Sequence, residues 1–135
     1  MKISHAFYGI MLISLSTFAY ATEYCPAIDA IQYDVNASKY VNTAGDITWS
    51  SSVMAVSNPT PTITFMVVSS YGAVNNSTIV CAYSDGNNNF SMTSSPTFSI
   101  DPNEWAQISS QAYYCKQSIA ACGFSLVDSK TKKKT

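Results

Sequence analysis

Apolar and polar positions alternate along much of the chain, and the pattern is clearest through residues 62–93. That stretch reads TITFMVVSS, YGAVNNS, TIVCAYS, DGNN and NFSMT: three apolar, β-prone runs divided by two clusters of turn residues. It predicts a three-stranded antiparallel meander with Cys81 on the middle strand. Side chains in a strand point alternately to its two faces, so Ile63, Phe65 and Val67 share one face and Met66 and Val68 the other. A run apolar on both faces fits a central strand covered on both sides. The β-branched Thr62, Ile63, Thr64, Val67 and Val68 disfavour the competing helix, because they lose χ1 freedom there. In the next run Ile79, Cys81 and Tyr83 fall on one face. Asp85-Gly86-Asn87-Asn88 tolerates positive φ and fits a tight hairpin. Phe90-Ser91-Met92-Thr93 then alternates with one wet face.

The flanking sequence adds shorter strands. Ile31-Gln32-Tyr33-Asp34-Val35-Asn36 and Ile47-Thr48-Trp49-Ser50 alternate, and 53–56 continues the second after a bulge at Ser51-Ser52. Residues 42–46 contain Gly45 and read as a turn. Asn58-Pro59-Thr60-Pro61 is a break, since neither proline donates to a ladder. Phe98-Ser99-Ile100 is a short strand. Asp101-Pro102-Asn103-Glu104 is a helix-start signal, with Asp101 as cap, Pro102 at the first helical position and Glu104 reaching back. It predicts a helix of two turns or less with Trp105 and Ile108 on one face. Strands at 111–116 and 123–127 bracket Cys115 and Cys122. The fold class is therefore mainly β: a small antiparallel β-sandwich or partly open barrel with one short helix and two disulfides.

The opening residues change the compartment. Lys2, an apolar core over 6–18 and Ala19-Tyr20-Ala21 form a secretory signal peptide over residues 1–21, of the A-x-A type. Cleavage after Ala21 leaves a single β domain over 22–128 and a disordered basic tail over 129–135, secreted or periplasmic, with no stable membrane insertion. The one histidine, His5, goes with the signal, and the chain has no arginine. Six lysines then face eight acids, a net charge of −2 (6 − 8), and four of those lysines lie in the last six residues. Cys25, Cys81, Cys115 and Cys122 all remain, an even number that reads as two disulfides in an exported domain. Three connectivities are open. Proximity in sequence favours Cys115–Cys122 and, by elimination, Cys25–Cys81. The spacing has no C-x-x-C and no histidine to help, which argues against a metal or redox centre.

Several residues together resemble a known group. They are Tyr24-Cys25-Pro26 just after the signal, Trp49 in an early strand, Cys81-Ala82-Tyr83, Asp101-Pro102-Asn103-Glu104-Trp105, and Cys115 with Cys122-Gly123-Phe124. The set is similar to small exported proteins of Gram-negative bacteria that carry a disulfide-bonded domain of unknown function. The resemblance implies export and a shared disulfide-bonded β domain. It implies no activity and lends no catalytic residue.

The chemistry left to a chain of this composition is narrow. Without histidine, Ser-His-Asp and Cys-His arrangements are excluded after cleavage. A carboxylate pair for glycoside hydrolysis would have to come from Asp46, Asp85, Asp101 and Glu104, each of which also has a turn or capping role. With Lys39 and Lys116 the only cations outside the tail, nucleic acid is not an expected partner. No cofactor is implied. Aromatic residues make up 13% of the chain beside 11% charged residues, which suits recognition of a protein or a glycan by exposed rings. The leading expectation is a non-enzymatic protein-interaction module, with a carbohydrate-binding module next and a carboxylate-dependent hydrolase third. Candidate binding residues are Tyr71, Asn75 and Asn76 in one loop and Asp85 and Asn87 in another, because loops on a rigid sheet carry recognition.

Overall fold

A computed structural model of the chain describes residues 22–44, 47–56 and 61–127. The expected signal peptide, Gly45 and Asp46 of the turn expected over 42–46, residues 58–60 of the expected proline break, and the expected basic tail lie outside the described residues; Asn42 to Ala44 of that turn instead extend a strand, because they pair with the strand that follows. Among the described residues eleven strands run in order: β1 (Thr22–Glu23), β2 (Gln32–Asp34), β3 (Lys39–Ala44), β4 (Ile47–Ser50), β5 (Thr64–Ala73), β6 (Asn76–Ser84), β7 (Asn89–Ser94), β8 (Phe98–Ser99), β9 (Ala106–Ser109), β10 (Ala112–Cys115) and β11 (Phe124–Leu126). Single 3-10 turns stand at Ile28–Ala30 and Ile119–Ala121. The architecture is mainly antiparallel β, as the alternation predicts.

The sheet is organised around β6. One long edge of β6 pairs with β5 from Ser84 back to Asn76, and β5 leads on to β10 and β9. The other edge is divided. Val80 to Ser84 pair with β7, which continues to β4, β3 and β2, whereas Ser77 pairs with Phe98 of β8, which continues to β11 and β1. The two arms pack on each other through Trp49 of β4, whose ring lies 6.0 Å from both Phe98 and Phe124. Phe98 and Phe124 meet edge to face at 4.7 Å. Ile79, Cys81 and Tyr83 from β6, Phe90 and Met92 from β7, and Tyr40 from β3 complete the buried layer. Removing this apolar surface from water is the main stabilising term.

Both disulfides have the pairing that proximity favours: Cys25–Cys81 and Cys115–Cys122. The first ties the segment after β1 to the middle strand of the meander. Beside it the Tyr83 hydroxyl donates to the Pro26 carbonyl at 2.6 Å, and burial pushes the Tyr83 phenol far above its ordinary range.

Local chemistry departs from the simple pattern in five places. A β-bulge between Phe65 and Val67 inserts Met66 as an extra residue. It reverses the parity of β5, so Met66 faces solvent and Val68 faces the core, although alternation alone puts them on one face. The outer face of β5 is therefore open, not covered. The expected YGAVNNS turn shrinks to Val74-Asn75, and Tyr71 stands within the strand. The helix expected from Asp101 is replaced by one turn: Asn103 N donates to Asp101 Oδ1 at 3.0 Å and Glu104 N to Asp101 O at 2.9 Å. Trp105 is then buried while Ile108 is 60% exposed, because pairing of β9 with β10 takes over where the helix would propagate. The strand expected over 31–36 stops at Asp34, whose carboxylate accepts Asn36 N and Ala37 N and forces a turn. Finally, residues 53–56 do not continue β4, a departure that opens the sheet.

Candidate functional site

β4 and β7 pair only at Trp49 with Ser94 and Ser50 with Thr93. Past Ser50 the chain turns toward β3. Ser51 N donates to Tyr40 O at 2.9 Å, Tyr40 N donates to Ser51 Oγ at 2.9 Å, and Met54 N donates to Ser38 O at 2.7 Å. The Tyr33 hydroxyl holds the Met54 carbonyl at 2.7 Å. β7 meanwhile stays with β6 as far as Asn89. No backbone hydrogen bond joins the described residues of 51–56 to β7. The sheet is thus split along residues 89–92, and that stretch of β7 has no ladder partner among the described residues on the side that β4 has left.

The split forms an open groove of about 780 Å³. Ser50, Ser52, Met54 and Ala55 make one wall, Met66, Ala82, Phe90, Ser91 and Thr93 the floor and far side, and Asn88 with Asn89 one end. None of these side chains is ionisable. Their hydroxyls and amides, set beside two methionines, can hydrogen-bond a neutral chain and adapt to apolar groups, but they supply no counter-charge.

Tyr40 fixes both walls. Its backbone holds Ser51 as above. Its ring stacks on Phe90 with centroids 4.0 Å apart, and its hydroxyl donates to Asp85 Oδ2 at 2.9 Å. Asp85 Oδ1 in turn accepts Asn88 N at 2.7 Å and Asn87 N at 2.9 Å, and Asp85 N donates to Asn88 O at 3.0 Å. The Asn88 amide above all holds the Asp85 carboxyl below the usual carboxylate range; burial opposes this, and the Asn87 amide and Tyr40 hydroxyl assist it. Burial, with the Asp85 hydrogen bond and charge, pushes the Tyr40 phenol far above its own range.

The candidate residues of the two loops are not brought together. Tyr71 is 50% exposed on the outer face of β5, and Asn75 and Asn76 are exposed at the β5–β6 turn. That turn and the 85–88 loop sit at opposite ends of β6, about 26 Å apart at ~3.3 Å per residue. Asp85 is buried and its oxygens are engaged internally, so it shapes its loop. Asn87 is exposed and, with Asp85, Val56 and Pro61, lines a smaller cleft of about 310 Å³. Of the four acids considered for hydrolysis, Asp101 and Glu104 share a cleft of about 410 Å³ with Tyr24 and Ser99, Asp85 lies elsewhere, and Asp46 is outside the described residues. Cys25, Cys81, Cys115 and Cys122 are all disulfide-bonded.

The groove itself was not visible in the sequence. The outward placement of Ala82, Ser91 and Thr93 follows from alternation, but the divergence of β4 from β7 is set by Tyr40, a residue of β3, a strand the pattern does not announce.

Fold and groove together define an antiparallel β domain with a split sheet, pinned by two disulfides. Comparison with protein families, with curated proteins and with solved structures finds no match.

Proposed function

We propose that the chain is an exported, non-enzymatic protein-interaction module, of the small Gram-negative type its cysteine, tryptophan and tyrosine positions resemble. The observation that carries this reading is the unpaired edge of β7 facing a preformed groove. Unpaired strand edges are templates for pairing with another chain, and a groove beside one supplies side-chain selection. Two disulfides in a small domain accord with an oxidising compartment, either the periplasm or the medium.

The test is site-specific photo-crosslinking in producing cells. A benzophenone side chain at Ser91, inside the groove, is expected to capture a discrete protein. The same probe at Thr78, on the same outer face but outside the groove, is not. Equal capture from both positions, or none from Ser91, overturns the reading.

A second reading, a carbohydrate-binding module, is favoured by one feature. Tyr71 on β5 and Tyr114 on β10 lie on one outer face and are diagonal neighbours, since Tyr114 pairs with Ser69. Flat rings side by side on a sheet suit sugar stacking. A glycan array on the oxidised protein checks it: binding must be lost in Y71A for this reading to stand.

A further inference from the structure

We infer that the groove takes an uncharged, extended polypeptide segment, about four residues long, that adds as a strand to the free edge of β7 and sets a small or β-branched residue beside Ser91. This rests on the interaction-module reading and names the chemistry of its partner.

Three observations set the occupant. The first is charge. No ionisable side chain among the described residues lines the groove, so a charged residue of the partner would lose water without gaining a counter-ion there. The same fact disfavours phosphate-bearing ligands. The second is the backbone. Successive residues of a strand direct their N–H and C=O groups alternately to its two sides. Over 89–92, β6 therefore satisfies one set, and the other faces the groove unclaimed by any ladder among the described residues. An extended peptide satisfies such groups in register, whereas a saccharide has no backbone N–H and C=O groups at strand spacing. The unpaired stretch is four residues, about 13 Å of strand, which fixes the length.

The third is shape. Ala82 pairs with Ser91 on one side and Val67 on the other, so the floor there is low. The bulge at Met66 turns that side chain outward to 41% exposure beside it. Met66 and Met54 have flexible thioether chains that re-pack around different apolar residues. The groove is accordingly strict about charge and size at its centre and permissive about apolar shape at its margins.

The test is selection from a displayed library of random seven-residue peptides on the oxidised protein. Two variants accompany it, A82F filling the groove from its floor and S52W from its wall, with T78F as a control outside it. The expected result is enrichment of peptides poor in Asp, Glu, Lys and Arg and rich in Val, Thr and small residues. Binding of the synthetic peptides should fall at least tenfold in a folded groove-filling variant and hold in T78F. Amide hydrogen exchange within 89–92 should slow on binding. Charged winners that still depend on Ala82 or Ser52 overturn the inference and leave the interaction module standing, as does a crosslinked partner from Ser91 whose segment is charged. Peptide binding with unchanged exchange at 89–92 overturns strand addition. Failure to enrich any peptide over the filled variants overturns the inference outright, and glycan binding lost in A82F assigns the groove to sugar.

Discussion

The Tyr40 hydroxyl donates to Asp85 Oδ2 at 2.9 Å across 45 residues of sequence, with both side chains buried. This contact joins the strand that anchors one wall of the groove to the loop that closes its end. Replacing Tyr40 by Phe keeps the stack on Phe90 and removes only the hydroxyl. Asp85 then loses one of three donors while remaining buried. A loss of about 1–3 kcal/mol is expected from urea melts; unchanged stability would show that water replaces the hydroxyl without cost.

Acid should act on the same contact. A carboxylate whose folded pKa lies below its unfolded value of about 3.9 contributes stability that is present above that value. The contribution is lost as pH falls through the depressed folded value. Stability should therefore drop below about pH 4, as protonation weakens the bonds the carboxylate accepts, that from the Asn88 amide above all. D85N cannot titrate at this position. It should be less stable than the parent at neutral pH and show a shallower acid decline; parallel curves for the two proteins would remove Asp85 from the account.

The two disulfides close loops of very different length, with sequence separations of 56 and 7. In the chain-entropy model the longer is worth about 4 kcal/mol and the shorter about 2.5 kcal/mol. C25A/C81A should accordingly be the more damaging pair in guanidinium melts, and C115A/C122A should keep a cooperative transition. The reverse order would mean that β10 and β11 depend on their loop more than the meander depends on its anchor.

Among the described residues, Gly72 and Gly86 hold positive φ for different reasons. Gly72 has φ +115° and a Cβ there would stand 2.9 Å from the Asn76 carbonyl oxygen, whereas Gly86 has φ +96° with open space around it. G72A meets both backbone strain and a clash, and G86A meets strain alone. A cost of about 2–3 kcal/mol is expected for the first and about 1 kcal/mol for the second. Equal shifts in Tm would show that the β5–β6 turn relaxes freely.

Much of the fold is legible because alternation and turn chemistry are local. The faces of β6 and β7 follow from Ile79, Cys81, Tyr83, Phe90 and Met92, and the 85–88 turn follows from its Asp, Gly and Asn residues. What is not legible depends on partners distant in sequence. The bulge at Met66 exists because Phe65 must face Tyr83 while Val68 faces Cys81. The capping signal at Asp101 is genuine, yet it closes only one turn, because β10 recruits 106–109 as a strand. Asp85 reads as a surface turn residue, since nothing local reveals that Tyr40 will cover it. The groove is hidden for the same reason: it is a gap between two strands, and a gap has no sequence of its own.

The branching at β6 has a consequence in time. Its partners β5, β7 and β8 come from both sides of it in the chain, and β1 pairs only with β11, at the far end of the described residues. No leading fragment holds a complete core, since Trp49 waits for Phe98 and Phe124. Such long-range pairing makes folding slow and leaves apolar edges bare meanwhile. A chain built this way completes its core only when nearly all of it is present, so its topology favours a finished chain before a folded one.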